Sequence, residues 1–223
     1  MKITDIIIHH SGSTKADPYA STAHVTPQNI SRYHKSKWNF PAKYIYDESI
    51  RYAGYTVIYD PKTRKFTQCR AVGEETAHTI GYNHSSVGLC IIGNYTKSPV
   101  GSPKGTVDEL TEQTVKDVTE YLYDITIDIE RRLYVLPTAE VNLSSQRVHP
   151  HRFFSNTSCY GSGISNNFFR DKLIEFEKKN IIFNLLKAFC WHLLDIKQKR
   201  EIKKAILGTA DTREDPEFIE IIN

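Results

Sequence analysis

Apolar positions along this chain follow two periods. Ile3 to Ile8 is rich in β-branched residues and suits a buried strand that delivers His9 and His10 at its C-terminal end. "GYTVIYD" and "PKTRKFTQC" read as two alternating strands joined around Asp60, Pro61 and Lys62, a hairpin. "SVGLCIIGNY", Ser86 to Tyr95, is a second buried strand. Elsewhere the spacing is helical. "TPQNISRYHKSKW" predicts a short helix with Thr26 as N-cap and Pro27 at the first helical position. Leu110, Val118, Leu122, Ile125 and Ile129 predict a long amphipathic helix from about Thr111 to Arg131, capped by Thr111 with Glu112 in its first turn. Lys97 to Thr106 carries two Pro and two Gly and reads as a loop. A closing helix starts near Asn167, with Phe169, Leu173 and Phe176 on one face.

This order of elements predicts a mixed α/β domain over residues 1–179, a central, mostly β-sheet flanked by helices. Residues 180–223 form a helical C-terminal extension. A length of 223 residues accommodates one domain with an appendage. The formal net charge of +3 is too small to argue for nucleic acid as a partner. Cys69, Cys90, Cys159 and Cys190 are widely spread, which suits a reducing compartment or a thiol with a chemical task rather than a disulfide framework. "MKITDIIIHHSGS" lacks a long apolar core and a small-residue cleavage site, so the expectation is synthesis in the cytoplasm without a signal peptide. No run approaches the roughly 20 apolar residues of a membrane span.

Most of the nine histidines call for no special role, and His24, His34 and His192 read as solvated or structural. His9 and His10 differ because a rigid strand end can aim one imidazole across the fold. "HRFFSNTSC" then places His151 and Cys159 in one short segment. Zinc accepts neutral imidazole and thiolate, and catalytic sites use three protein ligands with a fourth position open. One His from the strand end plus a His and a Cys from the later loop would make a His2Cys set, with His149 a rival for His151. A thiol nucleophile at Cys159, with His151 or His149 as base, is the competing chemistry.

"IIIHHSGS", "GYTVIYD", "AHTIGYNHSSVGLCIIGNY" and "PHRFFSNTSCYG" occur in an order that resembles the zinc-dependent N-acetylmuramoyl-L-alanine amidases. That family includes the amidase-type phage lysozymes and the peptidoglycan recognition proteins. The resemblance covers about residues 3 to 178. It implies zinc held by His9, His151 and Cys159, with His10 beside the first ligand. It implies catalytic roles for Tyr55, as oxyanion donor, and Thr157, and a peptide groove lined by His78 and Asn83. Thr56 stands where many members have His and Tyr160 where many have Pro, which bears on groove shape. The implied activity is hydrolysis of the amide between the lactyl group of N-acetylmuramic acid and L-alanine of the stem peptide. Cell-wall lysis by an endolysin released through a separate pore and recycling of muropeptides both fit, and a non-catalytic peptidoglycan-binding module is the alternative. In the extension, "NIIFNLLKAFCWHLL" is apolar around most of a helix and is followed by Lys197, Lys199, Arg200, Lys203 and Lys204. That pattern suits packing on the domain or a second copy, or else weak contact with a membrane or cell-wall surface.

Overall fold

The computed structural model describes residues 1–12, 17–45, 47–97, 106–189 and 194–207. Strand β1 is Lys2–Ile3, β2 is Asp5–His10, β3 is Val57–Asp60, β4 is Lys65–Gln68, β5 is Ser86–Ile91, β6 is Glu140–Val141 and β7 is Val148–Pro150. The helices are α1 (Pro27–Trp38), α2 (Glu112–Ile127), α3 (Phe168–Phe189) and α4 (Ile196–Leu207). Five strands form one mixed sheet in the order β4-β3-β5-β2-β7, in which β3, β5, β2 and β7 run parallel and β4 is antiparallel to β3. Strands β1 and β6 pair separately as a small parallel ladder. The fold is therefore mixed α/β, a central sheet flanked by helices.

The side-chain alternation of the sheet makes two different cores. Ile6, Ile8, Val57, Tyr59, Val87, Leu89 and Ile91 point to one face, where Val118, Leu122 and Ile125 of α2 cover them. Ile58 and Cys90 point to the other, against Ile30 of α1, Ile50 and Ala53. Both faces being covered explains why β2 and β5 are buried along their whole length. His9 lies opposite Cys90 in the β2–β5 register, so it belongs to the second face.

Helix α1 begins as expected. Thr26 accepts the Asn29 N–H, and the Asn29 side chain accepts the Thr26 N–H, closing a capping box ahead of Pro27. Its buried positions, Pro27, Ile30, Ser31 and His34, recur at helical spacing. Helix α2 is shorter than the apolar spacing predicts. Asp128 leaves helical geometry at φ −151°, and Ile129–Arg131 continues as one tight turn that still buries Ile129. The buried run from Ser86 ends as a strand at Ile91, because Gly93 takes φ +140° and turns the chain. Of the loop expected at Lys97 to Thr106, residues 98–105 lie outside the described residues, and Lys97 and Thr106 pair as an isolated bridge.

The chain divides into two compact units, Met1–Leu173 and Ile174–Asn223. Helix α3 runs without interruption through Lys179 and Asn180. Its Phe169 and Leu173 belong to the first unit's core. Within the second unit, Ile181, Ile182 and Leu185 are exposed. Asp195 and Gln198 exchange backbone-to-side-chain hydrogen bonds and so cap α4. Among the described residues no helix is long and apolar enough to cross a membrane. His192 and Cys190 lie outside the described residues.

Candidate metal centre

The parallel strands end at one edge of the sheet, and the candidate site gathers there. Strand β2 ends in His9 and His10, and β7 passes directly into the short turn His151–Phe153. Because Ile7 is level with His149 in the β2–β7 pairing, the residue two further on from each, His9 and His151, meet at the strand ends. Their rings are 4.5 Å apart between centroids. Cys159 returns to the same point because its carbonyl accepts the Arg152 N–H at 2.8 Å. The Arg152 guanidinium donates to the Gly161 carbonyl at 2.6 Å, to the Ile164 carbonyl and to the Asn166 side chain, holding the segment after Cys159 in place. The loop between His151 and Cys159 is thus closed on itself by the arginine that follows the histidine.

The ligand atoms of His9, His151 and Cys159 all lie within 4.8 Å of one another, the one such His, Cys or acidic group among the described residues. His9 Nδ1 is 3.6 Å from Cys159 Sγ. Zn–N and Zn–S bonds of about 2.0–2.3 Å in a tetrahedron separate ligand atoms by about 3.5 Å, so the donor set and its spacing fit zinc. Burial, reinforced by His78 and His151, pushes His9 well below the usual imidazole value, and burial lowers His151 too. Neutral imidazoles are the form that ligates a metal. Burial also pushes the Cys159 thiol up to about 12, against smaller opposing effects of the His10 backbone and Arg152. A nucleophile and a metal ligand both need the thiolate, so this shift means that Cys159 becomes reactive only with a cation or base beside it.

His149 stands apart. It is level with Ile7, its Nε2 lies 3.7 Å from Asp5, and its ring stacks on Phe153 at 4.6 Å. The structure brings His151, not His149, to the other ligands. Tyr55 sits beside the cluster, its ring 5.1 Å from that of His9. Burial, with Cys90 and Cys159 nearby, raises its hydroxyl well above the ordinary value and keeps it protonated. Thr157 accepts the Cys159 N–H at 3.3 Å, which leaves its own hydroxyl proton free to donate.

His9, His151, Cys159, Tyr55 and Thr157 line a cavity of about 850 Å³, together with Lys37 and Trp38 of α1 and the exposed Ile80. The size is in the range of small-molecule sites. His10, His78 and Asn83 also line it, with His10 Nδ1, Asn83 Oδ1 and both His78 ring nitrogens facing partners inside the protein. His10 Nδ1 accepts the Tyr95 N–H at 3.1 Å, and burial pushes its pKa down to about 4. Asn83 Oδ1 accepts the backbone N–H groups of His78 and Thr79 at 2.9 and 2.8 Å. His78 is buried, with Nδ1 3.0 Å from His9 Nε2 and Nε2 3.4 Å from Ser86 Oγ. Burial, then His151 and Arg70, pushes its pKa down to about 3, with the Ser86 backbone acting the other way. Sequence reasoning missed Thr79, Ser86 and Arg152. Arg152 follows His151 directly, but only the folded loop reveals which carbonyls it holds.

No protein-family model matches the sequence, and no curated protein matches it. Similar solved structures include the endolysin N-acetylmuramoyl-L-alanine amidase LysCS from Clostridium intestinale URNW, at 17% identity over 77% of this chain and 83% of that one, TM-score 0.47. Bumblebee PGRP-SA is 18% identical over 73% and 78%, TM-score 0.47. The Ph2119 endolysin from Thermus scotoductus MAT2119 bacteriophage Ph2119 is 16% identical over 78% and 86%, TM-score 0.46.

Proposed function

We propose that this chain is a zinc-dependent amide hydrolase acting on peptidoglycan or its muropeptide fragments, cleaving between the lactyl group of N-acetylmuramic acid and L-alanine. One observation carries the reading: His9, from the end of an early strand, and His151 and Cys159, from one loop more than 140 residues later, converge on one cavity with zinc-compatible spacing. The substrate class comes from the resemblance of the four motif blocks to zinc amidases. When bound, zinc polarises an amide carbonyl and makes water acidic enough to attack near neutral pH.

The chain's own groups supply the rest. His9, His151 and Cys159 are the residues that would hold the ion. The protonated Tyr55 hydroxyl donates to the oxyanion that forms as the amide carbonyl becomes tetrahedral. Thr157 contributes a second, neutral donor. Trp38 and Ile80 give the cavity an apolar wall against which a stem peptide or sugar ring packs out of water.

The test is mass spectrometry of defined muropeptides digested by the zinc-loaded protein. New amino termini at L-alanine, with intact disaccharides, are expected. New reducing sugar ends, cleavage inside the peptide, or activity that survives a chelator would overturn the reading. Tyr55→Phe is expected to cut turnover by about 100- to 1,000-fold while leaving muropeptide binding nearly unchanged, because its donor matters only in the transition state.

A further inference from the structure

Behind the ligand cluster, on the side away from Cys159, lies a chain of polar groups that the amide chemistry does not use. It begins at His9 Nε2, the ring nitrogen opposite the one that faces the thiol. His78 Nδ1 is 3.0 Å from it, and Thr79 Oγ1 is 3.4 Å from His9 Nε2 and 2.9 Å from His78 Nδ1. The far nitrogen of His78 meets Ser86 Oγ at 3.4 Å, and Ser86 donates its hydroxyl proton to the Tyr82 carbonyl at 2.7 Å.

The proton positions follow by elimination. A serine hydroxyl has one proton, and that of Ser86 is committed to a carbonyl that can only accept. Ser86 therefore offers only lone pairs to His78, so His78 Nε2 carries the ring proton. In a neutral imidazole the other nitrogen is then an acceptor. His78 Nδ1 accordingly accepts; the Thr79 hydroxyl at 2.9 Å can share that lone pair, but a bare His9 Nε2 would set two lone pairs against each other at 3.0 Å, so His9 Nε2 carries a proton and donates. His9 Nδ1 is left with a free lone pair, and that nitrogen is the one 3.6 Å from Cys159 Sγ.

We propose that His78 and Ser86 are positioning residues that hold the His9 imidazole in its Nε2–H form, with the Nδ1 lone pair directed to a divalent cation shared with His151 and Cys159. Metal-bound histidines commonly donate their second N–H to a protein acceptor, which fixes tautomer and ring orientation. Two further features keep the His78 ring in this role. Asn83 anchors the backbone at both His78 and Thr79. Gly88, on β5, leaves open the space the ring occupies: a β-carbon there would lie 2.5 Å from His78 Cδ2. The inference rests on the metal reading of this site and assigns His78 a task inside the protein in place of contact with the stem peptide.

Two measurements on the full chain test it. In the zinc-free protein, nitrogen-15 shifts of the histidine rings should show His9 and His78 as Nε2–H tautomers. Zinc affinity, measured by chelator competition, should fall about 10- to 100-fold in His78→Leu. His78→Asn, whose amide oxygen can accept from His9, should recover most of that loss, and Ser86→Ala should show a smaller loss. An Nδ1–H tautomer at His9, or wild-type zinc affinity in both His78→Leu and Ser86→Ala, overturns the inference. If His78→Leu does not fold, the wild-type tautomer and Ser86→Ala decide it. Wild-type protein that binds no zinc would instead overturn the metal reading as well, so the two failures are distinguishable.

Discussion

Replacing Gly88 by Ala tests the packing behind the proposed metal centre with a single methyl group. An ideal β-carbon at this position lies 2.5 Å from Cδ2, 2.7 Å from Cγ and 2.8 Å from Nε2 of His78. Carbon atoms in contact settle at about 3.5–4.0 Å, so the ring must withdraw by roughly 1 Å. It cannot do so freely, because it is buried with His9 Nε2 at 3.0 Å and Thr79 Oγ1 at 2.9 Å. Overpacking of this kind costs about 1–3 kcal/mol. Gly88 lies within β5 and, unlike Gly93, shows no positive φ, so Ala should otherwise be the better strand residue by about 0.5–1 kcal/mol. With three ring atoms inside 3 Å the steric cost falls in the upper part of that range, about 2–3 kcal/mol, leaving a net loss of about 1–2 kcal/mol. In a chain of this size the loss lowers Tm by about 2–8 °C. Thermal unfolding with and without zinc is the assay, paired with zinc affinity, which should fall because His9 loses its acceptor. A Gly88→Ala protein with equal or higher Tm and unchanged zinc affinity would refute the reasoning.

Cys159→Ser and His151→Ala should lose zinc by elemental analysis while His149→Ala keeps it, since His149 is turned to Asp5 and Phe153; loss of metal only in the His149 variant would reverse the assignment. His34 tests the pH dependence of stability. Its Nδ1 accepts the Gly54 N–H at 2.9 Å, and burial, helped by Lys37 and Arg70, pushes its pKa down to about 4. The unfolded chain takes up a proton near pH 6.5 that the folded protein refuses. Stability present above that pH is therefore lost as pH falls toward 4, at up to about 1.4 kcal/mol per pH unit. Urea midpoints of His34→Gln should fall less steeply over this window than those of the wild type, and parallel curves would count against the assignment.

Much of the architecture was legible because the signals are local. The Thr26 cap, the apolar β2 and β5 runs and the spacing of α2 each depend on residues within a turn or a strand of one another. The same holds for placing His9 at a strand end. Where α2 ends was less legible, since Asp128 breaks the helix inside an apolar period that continues to Ile129. The boundary expected after Lys179 falls inside one continuous helix, where a helical period carries no boundary signal. The choice between His149 and His151 needed tertiary structure. Parallel pairing of β2 with β7 sets His149 level with Ile7 and carries His151 to the strand end beside His9. The motif resemblance pointed to His78 in the groove, and it does line the cavity; what the sequence could not show is that its ring nitrogens face His9, Thr79 and Ser86 over a glycine on a neighbouring strand. Residues so far apart along the chain leave no shared period in the sequence. Only the register of the sheet and the space left by a missing side chain bring them into hydrogen-bonding contact.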